Sequence, residues 1–537
     1  MLTVVAGGRV IDPAHGRDAP GDVWFEDGRI VAPPHPGRAA DARHDAAGAI
    51  VLAGGIDIHS HIAGSNVNTA RLLLPELRGE AGFDAAPVSS EIGRLYAAMG
   101  FTLVVEPAIS PHVALPAHLE MAAIPFIDRA ILAVLGNEDF LLRLLHDGAG
   151  EAAIADYAAR MLAGSRALGV KCVNPGAAAA FKDGARAFGL DDVVPRWGVS
   201  ARTVINALQR AVRAAGIPHP LHLHCANLGL PGNVETALAT IAAADGMPLH
   251  LAHLQFYAYG REGPRGFSSA APRLAAAVNA HPHITADVGQ VMFGQTVTIS
   301  SDVLRQFNGR HTGHPRKWAI LDGDGNGGGI VPFRYRRTSF VNAVQWAAGL
   351  ELFLLIDDPA RVFFTTDHPN GAPFTAYPDL LALLMDRQLR AQWIATLPQE
   401  AMAATTLPAL TREYTWPEIA TMTRAAPARL LGFSDRGHLA PGARADIAVY
   451  RPQADLAAMF RHAELVFKDG VPIMRAGAVG QPHAGRVLHL APGFDHAIEG
   501  HLGKFYDEIY GVPPSAFDVP DFALPDPAAF ECVPCQI

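Results

Sequence analysis

His59 and His61 stand two apart in the run GGIDIHSHIAG (54–64). Successive side chains of an extended strand alternate faces, so two histidines at that spacing turn both imidazoles to one side and can grip one metal ion. Ile56, Ile58 and Ile62 read as strand, and Gly54, Gly55 and Gly64 punctuate it. A bare His-x-His is more often two histidines that share a solvent face. Here the rest of the chain supplies further residues of the metal-binding type, each where a short apolar run ends. GVKCVNPG (169–176) carries Lys171, and HPLHLHCANLG (219–229) carries His222 and His224. PLHLAHLQFYAYG (248–260) carries His250 and His253, and VFFTTDHPNG (362–371) ends in Asp367.

Imidazole and carboxylate suit zinc and related divalent ions. A cationic lysine does not, because its ammonium has no lone pair. Carbamylated by carbon dioxide, Lys171 would present a carboxylate able to bridge two metals; the competing reading is a barrel-interior lysine paired with an acid. Two bridged ions lower the pKa of a shared water and polarise a bound carbonyl. Asp367 would then hold that water, take its proton and pass it to a leaving nitrogen. His222 and His224 share a strand face; His224 is nearer the strand end and is the chosen ligand, with His222 as fallback. His250 and His253, three apart, should face oppositely in a regular strand. His253 lies nearer the rim and is chosen, leaving His250 as a packed or supporting group. His219, His281 and His283 sit in Pro-flanked loops, where solvated or structural roles are expected.

These groups need a frame that brings strand ends together. Apolar strand candidates alternate with Ala-rich helical stretches such as 147–168 and 202–215, the pattern of a parallel β/α architecture whose chemistry lies at the C-terminal strand ends. Both chain ends read instead as short strands between Gly, Pro and Asp turns, at 2–5, 22–25 and 29–31 and again in GHLAPGARADIAVY and ELVFKDGVPIMRAG. Neither end can bury a core alone, so they are expected to pair. The expected fold class is α/β: a distorted TIM (β/α)8 barrel over 53–432, with a small discontinuous β-sandwich from 1–52 and 433–485 and a tail over 486–537. The interval between His253 and Asp367 exceeds the roughly sixty to eighty residues that two βα units need. An insertion is therefore expected around 281–345, and it includes the glycine-rich DGDGNGGGIVPF. That run either lets backbone approach a ligand or forms a flexible loop.

The 537 residues are 50% apolar and 18% charged, which suits a large core. A formal charge of −9 without Lys/Arg blocks argues against nucleic acid or an anionic membrane as partner. No segment has the apolar length of a membrane span, and MLTVVAGGRVIDP lacks the basic start and apolar core of a signal peptide. Four cysteines make no disulfide framework, and a cytoplasmic location is expected. Cys172 and Cys225 adjoin proposed ligands but should face away from them. Cys532-x-x-Cys535 is either a redox pair, half a zinc site or an idle end of the chain. No four-cysteine spacing for an iron–sulfur cluster and no nucleotide fingerprint occurs.

The order His-x-His, Lys, His, His, Asp on successive strand ends resembles the amidohydrolase superfamily, in its binuclear carboxylysine branch. HCANLG (224–229) is similar to the His-Ala-Glu-Asn segment of dihydropyrimidinase and dihydroorotase relatives, and the resemblance covers about residues 1–480. A narrower set resembles the A-subunit family of formylmethanofuran dehydrogenases and of the formyltransferase/hydrolase complexes of aerobic methylotrophs. It comprises GGIDIHSHIAGSNVN, KCVNPG, HCANLGLPGN, AHLQFYAYG, DVGQVMFG (287–294), GNGGGIVPF (325–333) and TTDHPNGAPF. That resemblance implies a binuclear zinc hydrolase, working with other subunits, that cleaves the N-formyl amide of formylmethanofuran to formate and the free amine. By analogy His59, His61, Lys171 and Asp367 hold one ion, while Lys171, His224 and His253 hold the other. Asn227, Gln255, Tyr257, Gln290 and Asn370 are candidate polar groups around the formamide, though each could equally satisfy backbone. The alternative is a stand-alone amidohydrolase acting on a cyclic amide or N-acyl amino acid, which a substrate panel would separate.

Overall fold

Eight short parallel strands carry the apolar middle of the chain: β1 (Gly55–Asp57), β2 (Phe101–Ile109), β3 (Asp128–Val134), β4 (Gly169–Val173), β5 (Leu221–His224), β6 (Leu249–Leu251), β7 (Ile284–Asp287) and β8 (Val362–Phe363). This computed structural model describes residues 1–71, 89–185, 188–300, 312–314 and 329–536. Each strand pairs with the next in chain order. A parallel bridge between Ser60 and His368, with the His61 N–H donating to the His368 carbonyl at 2.9 Å, joins the segments that follow β1 and β8 and closes the ring. The closure lies at the C-terminal rim, among the candidate ligands. Strands covered on both faces read as unbroken apolar runs, as Ala130–Ala133 does. The helices expected at 147–168 and 202–215 run over Glu151–Ser165 and Ala201–Ala214. The second starts where the Ser200 hydroxyl accepts the Thr203 N–H at 3.2 Å.

Register, more than spacing within a strand, decides what shares a layer of the barrel interior. Lys171 pairs with His222, His222 with His250, and His250 with Thr285. Paired residues of parallel strands project to the same side. Lys171, His222 and His250 are all buried.

The two chain ends build one nine-stranded sheet. Its seam is the antiparallel pairing of Ile50–Ala53 with Ile447–Tyr450. The long first strand, Leu2–Asp12, forks: Thr3–Ala6 pairs with Ala42–Asp45, and Arg9–Val10 pairs with Ile50–Val51. Gly7 sits at the fork with φ +75°, and a Cβ on Gly8 would meet Val51 Cγ2 at 2.5 Å. The sheet encloses its own core of Val5, Val23, Phe25, Val51, Ile447 and Phe467. A barrel with a small domain drawn from both termini is the architecture that the sequence implied.

Residues 486–536 are built into the fold, where the sequence suggested a tail over 486–537. Val487–Leu490 lies parallel to the start of β3, Phe530–Val533 lies beside it, and Phe505 of helix Ala497–Tyr510 packs on Phe140 with ring centroids 5.3 Å apart. The intervening prolines form short 3-10 turns that mask the strand pattern. In the expected insertion, Gly294–Ser300 and Gly329–Tyr335 form an antiparallel hairpin. Most of the glycine-rich run, 322–328, lies outside the described residues. Among the described residues no helix is long and apolar enough to cross a membrane, and the four cysteines form no disulfide.

Barrel, terminal domain and final segment meet at one buried charge cluster. Lys468 Nζ lies 3.0 Å from Asp128 Oδ2 at the start of β3 and 3.0 Å from Asp446. Arg436 reaches Asp128 Oδ2 at 3.2 Å and Glu531 at 3.1 Å. Lys468 is fully buried. Removing its ammonium takes the cation from buried Asp446 and leaves Asp128 to Arg436 alone, a change that costs roughly 3–5 kcal/mol. Lys468→Met should therefore lower the urea midpoint markedly; a midpoint equal to that of the unchanged protein would contradict this role.

Candidate metal centre

The loop after β1 is pinned before it presents its histidines. Tyr96 and Tyr377 both donate their hydroxyls to Asp57 Oδ2, and the His59 N–H donates to Asp57 Oδ1 at 3.0 Å. Across the closure, Asp367 sits at φ +51° beyond β8. Its N–H donates to Thr365 Oγ1 at 2.9 Å, and Asn370 Nδ2 donates to Asp367 Oδ2 at 3.0 Å. These bonds leave Asp367 Oδ1 aimed at the two histidines, 3.1 Å from His59 Nε2 and 3.5 Å from His61 Nε2.

The opposite ring nitrogens are held by carboxylates. His59 Nδ1 lies 2.9 Å from Asp287 Oδ2, and His61 Nδ1 lies 2.9 Å from Glu106 Oε1. A carboxylate only accepts, so both rings carry their protons on Nδ1 and turn their Nε2 lone pairs toward Asp367 Oδ1. Three lone pairs facing one another repel unless a cation lies between them. Protons are one answer. Burial opposes charging these rings, but Glu106 and Asp367 outweigh it and lift His61 to about 9, and Asp287 and Asp367 raise His59. A divalent ion is the other, and the donor set fits one. Single donor atoms of His59, His253 and Asp367 all lie within 4.8 Å of one another. His253 Nδ1 and Asp367 Oδ1 are buried and meet no hydrogen-bond partner. His224 stands beside His253, ring centroids 4.6 Å apart. Lys171 is buried at 2% exposure; burial drives its pKa down to about 8, against the pull of Asp287, Asp367 and Glu106.

His250 and His253 do not face oppositely, as alternation would require. Strand β6 stops at Leu251, and His253 turns left-handed at φ +34°, ψ +54°, which breaks the alternation. Both rings therefore reach the interior: His253 lies 5.3 Å from His59 by ring centroids, and His250 Nε2 lies 3.1 Å from Asp287 Oδ2. His222 and His224 both face inward on separate levels. His222 Nε2 lies beneath His59, 3.0 Å from its Nδ1, and His224 is level with His253. His219 is fully buried, its Nε2 3.0 Å from His222 Nδ1.

Of the five candidate substrate groups, Asn370 touches the centre, through Asp367. Asn227 donates to Thr236 Oγ1 at 2.7 Å, and the Tyr257 hydroxyl donates to the Cys225 carbonyl at 2.7 Å. Gln255 donates to the Gln345 carbonyl at 3.1 Å, and Gln290 to the Trp346 carbonyl at 3.0 Å. These two amides are fully buried against helix Phe340–Leu355. Glu106 and Asp287 were missed in the sequence. Their signal was an acid inside or closing an apolar strand run, in VVEPAIS (104–110) and at the head of DVGQVMFG.

A pocket built this way should be steadied by the ion it fits. Stripping divalent ions with a chelator should lower the thermal unfolding temperature, and zinc at a hundredfold excess over its Kd should restore about 2.7 kcal/mol. An unfolding temperature indifferent to both treatments would contradict a metal role for these residues.

The model of the amidohydrolase family matches residues 44–474. Over the full length of both chains the sequence is 52% identical to the A subunit of the formyltransferase/hydrolase complex Fhc of Methylorubrum extorquens. It is 35% identical to protein FwdA of Methanocaldococcus jannaschii, over 91% of each chain. The crystal structure of the FhcABCD complex from Methylorubrum extorquens, in complex with methylofuran, contains a chain that superposes with a TM-score of 0.94 at 51% identity, each chain covered in full. A family match spanning most of the barrel and relatives aligned nearly end to end leave one assignment: the chain belongs to the amidohydrolase family, among the A subunits of formyltransferase/hydrolase complexes and their FwdA relatives.

Proposed function

We propose that the chain is the hydrolase subunit of a formyltransferase/hydrolase complex in one-carbon metabolism, cleaving the N-formyl amide of a formylmethanofuran-type cofactor to formate and the free amine. The observation that carries this reading is the end-to-end match to a subunit whose complex binds methylofuran. In this reading His59, His61, Lys171 and Asp367 hold one divalent ion, and Lys171, His224 and His253 hold a second. Zinc is the expected ion, since the donors are imidazole and carboxylate. When bound, such ions would polarise the formyl carbonyl and lower the pKa of the attacking water.

The protein's own groups do the remaining work. Burial keeps Lys171 near a pKa of about 8, so part of its amine is neutral at physiological pH and free to add carbon dioxide with loss of a proton to solvent. The resulting carbamate would supply the carboxylate that an ammonium cannot. Asp367, oriented by Asn370 through Oδ2, takes a proton from the attacking water as its oxygen bonds to the formyl carbon. It then passes that proton to the nitrogen as the C–N bond breaks. Water has added across the amide, the formyl group leaves as formate, and the nitrogen leaves as the amine. The complex's other subunits are its expected partners, and a cytoplasmic setting fits this role.

Formate release from the formylated cofactor by the purified complex tests the reading. Asp367→Asn should keep the circular dichroism spectrum and lose about 10²–10⁴-fold in turnover; near-native turnover would overturn the role of Asp367. Lys171→Ala should bind fewer than two metal ions per chain, and two retained ions would refute the bridge. Hydrolysis of a cyclic amide or N-acyl amino acid, with the formylated cofactor untouched, would replace the proposed substrate.

A further inference from the structure

Beneath the candidate centre lies a layer of buried groups that the proposed chemistry does not use: His219, His222, His250 and Asp287, each at 0% exposure. Asp287 closes β7 and is the group on which the others converge. Its Oδ2 lies 2.9 Å from His59 Nδ1, 3.1 Å from His250 Nε2 and 3.4 Å from His222 Nε2. Its Oδ1 accepts the backbone N–H of His253 at 2.6 Å. We propose that Asp287 is a positioning residue whose single carboxylate fixes the tautomer of His59 and the backbone of His253, and so sets both sides of the metal centre at once. This inference rests on the reading of His59 and His253 as metal ligands.

The tautomer follows from the contacts. Asp287 Oδ1 takes a backbone N–H and Oδ2 is faced by three imidazole nitrogens, so the carboxylate is the acceptor in each of these contacts. His250 fits this: its Nδ1 faces the Thr285 hydroxyl at 2.9 Å, so that hydroxyl donates and Nε2–H donates to Asp287. His222 donates through Nε2 to Asp287, so its Nδ1 accepts the His219 Nε2–H at 3.0 Å. His59 Nδ1 faces the same carboxylate at 2.9 Å and carries a proton. In water an imidazole side chain prefers its proton on Nε2, the nitrogen that here faces Asp367. Asp287 reverses that preference and leaves the Nε2 lone pair for the ion.

The backbone half of the claim concerns His253. Its φ of +34° lies in the left-handed region that only glycine enters freely. The ring reaches the centre only in that conformation, and Asp287 Oδ1 clamps the N–H that holds it. Gly289 completes the arrangement, because a Cβ there would lie 2.5 Å from His253 Cβ. An asparagine at 287 has one acceptor for two tasks. With its carbonyl on the His253 N–H, its amide N–H faces His59 Nδ1 and drives the proton to Nε2. An ion would then have to displace that proton.

Two measurements on the full chain test this. In metal-stripped wild-type protein labelled with 15N-histidine, the His59 ring should carry a proton on Nδ1, alone or together with one on Nε2. Its assignment comes from loss of that signal in His59→Gln. An Nε2–H tautomer would overturn the proposal without reference to any variant. In chelator competition, Asp287→Asn should hold zinc about 10–100-fold more weakly than wild type, with an unchanged circular dichroism spectrum. Wild-type zinc affinity in that variant would overturn it. So would a third zinc equivalent in wild type that Asp287→Asn removes, since Asp287 would then be a ligand in the triad His59, His222, Asp287, whose donor atoms also lie within 4.8 Å of one another. Failure of the wild type to bind zinc at all would overturn the metal-centre reading itself, while the tautomer would still report on Asp287.

Discussion

Imidazole nitrogens and a carboxylate aimed at one point repel each other, and much of this fold holds them there in spite of it. Asp367 Oδ1 faces His59 Nε2 at 3.1 Å with carboxylates fixed behind both histidines. Such a cluster survives only on a rigid frame that excludes water and supplies its own restraints. The parallel barrel is that frame. The Ser60–His368 bridge brings the segments after the first and last strands into contact, so His59, His61 and Asp367 converge though they are some three hundred residues apart in sequence. A centre made of neutral side chains would need far less support; one made of competing acceptors needs a cation.

Much of this was legible in the chain. His59, His61, His224, His253 and Asp367 each end a short apolar run and Lys171 lies within one, and barrel strands end where chemistry happens. Spacing within one strand reached no further than that. It could not show that Lys171, His222 and His250 share a layer, because their register lies between strands. It mis-set His250 against His253 because β6 ends early and the chain turns left-handed at His253. Glu106 and Asp287 looked like isolated acids in apolar surroundings, and only their distances to His61 and His59 show what they do. The final segment was unreadable for another reason, since its two strands are only four residues long and lie some forty residues apart with proline-rich turns between them.

The supporting carboxylates each serve more than one group. Glu106 holds the His61 ring and also accepts the backbone N–H groups of Ile62 and Ala63, the latter at 3.0 Å, so the loop and the ring are fixed together. Asp287 does the same for His59 and the backbone of His253. Each acid is buried and each is fully committed, which makes the centre intolerant of small shifts. The same logic explains why Gln255 and Gln290, which looked like substrate groups, face helix Phe340–Leu355 instead. They lock helix Phe340–Leu355 to the wall of the barrel.

The most direct test is a crystal structure of the zinc-loaded protein recorded at the zinc absorption edge. A carbamate-bridged pair of ions requires two anomalous peaks, one among His59, His61 and Asp367 and one beside His224 and His253, with density beyond Lys171 Nζ touching both. A single peak, or a bare lysine amine between the two positions, would contradict it.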